Sequence, residues 1–185
     1  MKRRVLLSPA QSASFSMGRT LLVFGSWARV VSAPIELERA MLVDFAVQFP
    51  RSIGALVPAV PGIIRGYGID QGDLGDLFAT RRFQTLREVF ASTLALLIAR
   101  RLVDEVPRTD SSAATLLVLT GEGRTAAQAF STPLALAIRS LAEAACMSWR
   151  RRNIDDLRRA LGDALPNTAR EAAELMRPIS LGEDE

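Results

Sequence analysis

Apolar residues recur at helical spacing through most of this chain, interrupted by two short strand-like runs and one irregular stretch. Phe15, Leu21, Leu22, Phe24, Trp27, Val30 and Val31 mark a first helix from Ser14 onward. Gly18 and Gly25 each weaken it by about 1 kcal/mol relative to alanine, so burial has to offset that loss. Ser32-Ala33-Pro34 ends it. Pro34 fits the first turn of a second helix, with Glu36 and Glu38 near its positive end. That helix has a wide apolar stripe of Leu37, Met41, Leu42, Phe45 and Val47, with Phe49 just beyond. Asp44 falls inside the stripe, where a carboxylate is solvated at the edge or paired with an arginine.

Residues 49–78 break the pattern. Pro50, Pro58 and Pro61 and six glycines forbid long regular elements there. The stretch is too apolar for a free linker, and predicts an ordered insertion folding back on the helices or onto a partner. Ile53, Leu56, Ile63, Ile64 and Tyr67 are its candidate partner-facing residues. Its glycine-rich part, 66–75, lacks the Gly-Lys-Ser/Thr ending of a phosphate loop and does not complete GxGxxG. Asp70, Asp73 and Asp76 would repel phosphates, and a calcium loop would need a different spacing and a closing Glu.

Helical spacing resumes with Phe83, Leu86, Phe90, Leu94, Leu97 and Ile98. Two β-rich runs follow, 102–106 and 115–119, separated by turn formers as a hairpin requires. Thr120 then caps a helix whose N3 position is Gly123, without the reciprocal Glu of a full capping box. Thr132 and Pro133 start another helix, which carries Leu134, Ile138, Leu141, Ala145 and Trp149. Asn153 opens a further one with Asp155 and Asp156 in its first turn, and Pro166 ends it. A helix, two strands and a capped helix make the layout of a winged helix. The expected fold is therefore mainly α with a small β-hairpin: a winged-helix core plus C-terminal helices. The expected division is a flexible arm at 1–13, a winged-helix domain at 14–130 carrying the insertion, a helical hairpin at 131–166 and a tail at 167–185.

Composition narrows the chemistry. The 185 residues are 49% hydrophobic and 23% charged, the profile of a globular protein with one good core. No apolar run is long enough to span a membrane. The start, Met1-Lys2-Arg3-Arg4-Val5-Leu6-Leu7, resembles a signal peptide only until Ser8-Pro9 stops the apolar region, so a basic arm and a cytoplasmic location are expected. There is no histidine, and Cys146 is the sole cysteine. This removes Ser-His and Cys-His pairs, internal disulfides and nearly every structural zinc site. No catalytic residue, metal or cofactor is expected. Trp27 and Trp149 sit on apolar helical lines and are expected as core anchors, with Cys146 a small hydrophobe one turn before Trp149.

Twenty-three basic against 20 acidic residues give a net charge of only +3. The bases are nearly all arginine, a bias that a GC-rich genome produces by itself. Candidate DNA or partner contacts are Arg81, Arg82 and Arg87 on the helix before the hairpin, Arg108 at the hairpin tip, and Arg150, Arg151 and Arg152. The tip also holds Asp110, which is poor for phosphate neutralisation. The last three arginines, with Arg158 and Arg159, lie beside Asp155 and Asp156, which can pair with them.

Five segments in order carry a family resemblance. They are LERAMLVDFAVQFP, an irregular region with DLGDLF, ALLIARRLVDE, a strand leading into a glycine-containing helix start, and FSTPLALAIRSLAEAACMSW. Over residues 14–165 this order resembles the middle component of ABC-three-component systems, small bacterial proteins encoded beside an SMC/Rad50-like ATPase in Lamassu-type anti-phage defence. Two features depart from it: Arg101 stands where a glycine is usual, and the stretch 53–66 is extra length. The resemblance implies a non-catalytic adaptor that docks on the ABC ATPase and links it to, or restrains, an effector subunit, with DNA contact secondary. The competing expectation is a homodimeric winged-helix transcriptional regulator that reads DNA through the helix at Arg81 and dimerises through 133–152. An enzyme of another type has little to stand on in this residue set.

Overall fold

Apolar lines on the helices dictate one continuous core, and a small sheet closes one side of it. The structure, a computed structural model, describes residues 13–51, 53–68, 79–106 and 114–164, with side chains left undescribed at 79–86 and 89. In chain order the elements are α1 (Ala13–Val30), β1 (Ile35–Glu36), α2 (Leu37–Gln48), α3 (Val60–Tyr67), α4 (Ala79–Ala99), β2 (Val103–Glu105), β3 (Leu116–Leu119), α5 (Gly121–Ala129), α6 (Pro133–Trp149) and α7 (Ile154–Ala164). The fold is thus mainly helical with a small three-stranded antiparallel sheet in the order β1-β3-β2. The expected arm at 1–13 and tail at 167–185 lie outside the described residues, except for Ala13.

The sheet corrects one expectation. Ile35 and Glu36 do not open a helix behind Pro34; they form β1 and pair with Leu117 and Leu116. The extended backbone is favoured because it buries Ile35 against the core and lets the Leu37 amide donate to the Thr115 carbonyl at 2.9 Å. The expected hairpin is present as β2 and β3, with Val103 opposite Leu119 and Asp104 opposite Val118. Alternation then places Val103, Leu117 and Leu119 inward and Val118 outward.

Helix α6 is the centre of the packing. Ala135, Ile138, Leu141, Ala142, Ala145, Cys146 and Trp149 are buried in the same cluster as Leu22, Phe24, Phe45 and Leu97. The two helices expected as a C-terminal hairpin therefore share one core with the sheet-bearing part; α7 adds Leu157 and Leu161 to it. Small residues permit close approach. A Cβ at Gly25 would sit 3.1 Å from the Ala127 Cβ, so this helix-weakening glycine lets α1 and α5 come together.

Asp44 proves to be fully internal, at 1% exposure, and its partner is Arg19 on α1. The guanidinium donates from Nε to Oδ1 and from Nη2 to Oδ2, both at 3.0 Å. Thr20 Oγ1 donates to Oδ1 at 3.0 Å and Gln48 Nε2 to Oδ2 at 2.7 Å. Such saturation is what makes a buried charge tolerable. A second arginine, Arg39, joins α2 to the end of α6. It donates to the carbonyls of Trp149 and Arg152 and to the Glu36 carboxylate, and lies 5.9 Å over the Trp27 ring.

The described part of the insertion, up to Gly68, folds back on the helices; 69–78, with most of the glycine-rich run, lie outside the described residues. Ile53, Val57 and Val60 are buried, while Leu56, Ile63 and Ile64 are half-buried against the core. Turns lead into α3, which has Pro61 in its first turn and ends at Gly68 in the left-handed region, φ 62.

Removing one member of the Arg19–Asp44 pair strands the other in the core. Asp44→Ala is expected to cost about 3–5 kcal/mol, whereas the double change Arg19→Met, Asp44→Leu should recover most of it. Urea unfolding of the two variants checks this, and equal losses would contradict a paired origin.

Candidate interaction surface

The surface around α4 and the hairpin is built from local chain geometry. Helix α4 ends in a Schellman turn: the Leu102 amide donates to Leu97 O at 2.9 Å and the Arg101 amide to Ile98 O at 2.8 Å. Arg101 occupies the left-handed position of that turn, φ 57, a conformation that glycine adopts more readily than a residue with a Cβ. Thr120 closes the other side. Its hydroxyl donates to Arg101 O at 2.7 Å and accepts from the Gly123 amide at 2.9 Å, fixing the start of α5. Gly123 is indispensable here, because a Cβ would lie 2.0 Å from the Leu102 carbonyl oxygen.

Among the described residues this frame exposes a face with little positive charge. On α4 the outward described residues are Glu88, Ser92, Ala95, Leu96 and Ala99, with Arg100 and Arg101 only at its C-terminal end. Arg100 turns back, Nη1 lying 3.5 Å from Met17 Sδ. On the hairpin, Asp104 and Glu105 are exposed and Val118 is 40% exposed. Strands β2 and β3 carry no base at all.

The arginines singled out from the sequence are scattered. Arg81 and Arg82 lie in the first turn of α4, Arg87 is half-buried with its pKa lowered by burial, and Arg108 lies outside the described residues. Arg150, Arg151 and Arg152 are exposed just after α6 and have no ion-pair partner among the described residues. Arg158 and Arg159 do pair: Arg158 with Glu38 and with Asp155, Arg159 with Asp156. Of the candidate partner-facing insertion residues, Ile53 is a correction. At 1% exposure it is a core residue with no surface to offer, because it packs with Val57 and Val60 beneath the turns. Leu56, Ile63 and Ile64 are largely spent on the same packing. Only Tyr67 is exposed, at 44%, with its hydroxyl 3.2 Å from Ser140 Oγ.

Sequence inspection missed a different basic site. Arg29, Arg124 and Arg139 come from α1, α5 and α6 and line one cleft with Glu143. No sequence window holds all three.

Among the described residues no group of three or more His, Cys, Asp or Glu side chains is placed to hold a metal ion, and no helix is long and apolar enough to cross a membrane. Trp27 and Trp149 are buried as expected; Trp27 Nε1 donates to Ala33 O at 2.9 Å. No protein-family model, curated protein or solved structure matches the chain.

Cys146 is fully buried, and burial, with the Glu143 charge adding to it, pushes its thiol from 9.0 up to about 12. In the unfolded chain the thiol ionises near its ordinary value; in the folded chain it stays protonated. Its contribution to stability is therefore complete below about pH 9 and lost as pH rises toward 12, at up to about 1.4 kcal/mol per pH unit. Comparing urea unfolding of wild type and Cys146→Ala on either side of pH 9 checks this, since only wild type should show the added slope.

Proposed function

We propose that the chain is a non-catalytic adaptor subunit of an SMC-like ATPase anti-phage defence complex, built on a winged helix and joining the ATPase to an effector. The order α1-β1-α2-α4-β2-β3, with strands arranged β1-β3-β2, supports the winged-helix reading, α3 being an insertion between its second and third helices. The partners are taken from the resemblance of the 14–165 segments to the middle component of such systems.

One observation carries the protein-facing reading: the charge of the hairpin. A wing that touches DNA lies along phosphates, and each contact depends on a cation. Here the described strands offer Asp104 and Val118 on the outward face, and Glu105, opposite Leu117, is exposed as well. The outer face of α4 beside them offers Ala95, Leu96 and Ala99. Carboxylates with small and apolar side chains suit a protein surface and oppose a phosphate backbone.

The second reading, a homodimeric winged-helix regulator of transcription, draws on Arg150–Arg152, a basic run without acidic partners among the described residues. Its dimer helix would be α6. That helix spends its inner face on the chain's own core and leaves Leu136 and Met147 exposed.

A tagged chain recovered from its native host separates the two. Co-purification of a large coiled-coil ATPase is the expected result; a lone homodimer that retards its own promoter DNA would sink the adaptor. In a salt titration of any DNA binding, Arg81→Ala with Arg82→Ala should leave the slope of log affinity against log salt unchanged. Two phosphate contacts would instead lower it by roughly 1.8.

A further inference from the structure

The cleft between α1, α5 and α6 has a volume of about 190 Å³. Its floor is Leu22, Gly25, Ala28 and Ala127, and its rim is Arg29, Arg124, Arg139, Gln128 and Glu143. Apart from Leu22 the floor is made of small residues, and Gly25 lets α1 and α5 approach closely there. A drug-sized or cofactor-sized ligand wants roughly 300 Å³ or more, so this cleft fits one or two side chains rather than a nucleotide.

Its charge is unbalanced. Arg29 Nη1 lies 3.0 Å from Glu143 Oε1, which offsets one of the three guanidinium groups. Arg124 is exposed and has no partner among the described residues. Arg139 is held in place by its Nη2, which donates to the carbonyls of Ala127 at 3.0 Å and Phe130 at 3.1 Å. That arrangement leaves its Nε and Nη1 donors without a protein acceptor among the described residues. A pinned guanidinium loses little side-chain entropy on binding a carboxylate.

We infer that this cleft docks an acidic segment of a partner protein. A Glu or Asp carboxylate is received between Arg124 and Arg139, and the aliphatic part of the segment lies on Leu22, Ala28 and Ala127. The apolar floor favours an amphipathic peptide over a free inorganic anion, and the two uncompensated arginines select acidic over basic segments. The inference rests on the adaptor reading only in supposing a protein partner, and it names the chemistry of that partner.

The test uses the full ¹⁵N-labelled chain and a fluorescein-labelled peptide with the pattern Glu-Glu-Leu-Glu-Glu. Expected are saturable anisotropy, shifts of the Gly25 and Ala127 amides, and affinity that falls with salt. Arg124→Glu should weaken binding by about tenfold or more, with the fold unchanged because Arg124 is exposed; Arg139→Gln should do the same if it folds. No saturable binding, or binding indifferent to Arg124→Glu, overturns the inference. So does inorganic phosphate that shifts the same amides and competes as well as the peptide, because the cleft is then a small-anion site. If the ATPase or effector is recovered equally well with Arg124→Glu, the cleft assignment fails and the adaptor stands. If the peptide binds at the cleft while wild type recovers no partner, the adaptor fails and the cleft stands.

Discussion

The arrangement of the helices depends on the Arg19–Asp44 pair. Two charges at 3% and 1% exposure have lost nearly all their water, a cost that Coulomb attraction alone does not reliably offset. The cost is met here because both carboxylate oxygens accept two bonds each, from Arg19, Thr20 and Gln48. The consequence is geometric. Helices α1 and α2 cannot slide past each other without stranding a charge, so the register of α2 is set. With α2 fixed, Arg39 is carried to the end of α6, where it takes up the Trp149 and Arg152 carbonyls. The central helix of the core is thereby tied to the same lock.

A second constraint sits where α4 turns into the sheet. Arg101 in the left-handed region is a strained choice for a residue with a Cβ, costing about 1 kcal/mol relative to glycine. The turn persists because Thr120 accepts and donates across it and because Gly123 lets α5 start directly against the Leu102 carbonyl. The direction of the hairpin and the origin of α5 are therefore set by four residues. A surface presented by β2 and β3 is rigidly oriented relative to one presented by α5.

What was legible in the sequence was local. Thr120 with Gly123, Thr132 with Pro133, and Asn153 were each visible as helix starts, because a cap and the amide it satisfies are two or three residues apart. The two strand runs were visible for the same reason. Strand β1 was not, because it is two residues long and exists only through pairing with β3, some 80 positions later. Asp44 could be read as a carboxylate needing an arginine, but not which one, since Arg19 lies 25 residues away on another helix. The insertion misled in one respect: apolar content can mean a partner or the chain's own core, and Ile53 belongs to the core. The arginine cleft was invisible because α1, α5 and α6 each contribute a single arginine to it.

The distribution of charge bears on how such a chain could act. A DNA reader concentrates one sign on one face, since each neutralised phosphate adds to affinity. Among the described residues the signs are divided, with Asp104 and Glu105 on the hairpin strands and unbalanced arginines on the α1–α5–α6 cleft and after α6. Mixed charge contributes little raw affinity, but it discriminates strongly between partners, because a like-charged surface is repelled at either place. The Thr120–Gly123 junction holds the two surfaces in fixed relation, so two partners of opposite charge would be held in fixed relation as well. That property suits a subunit joining two proteins.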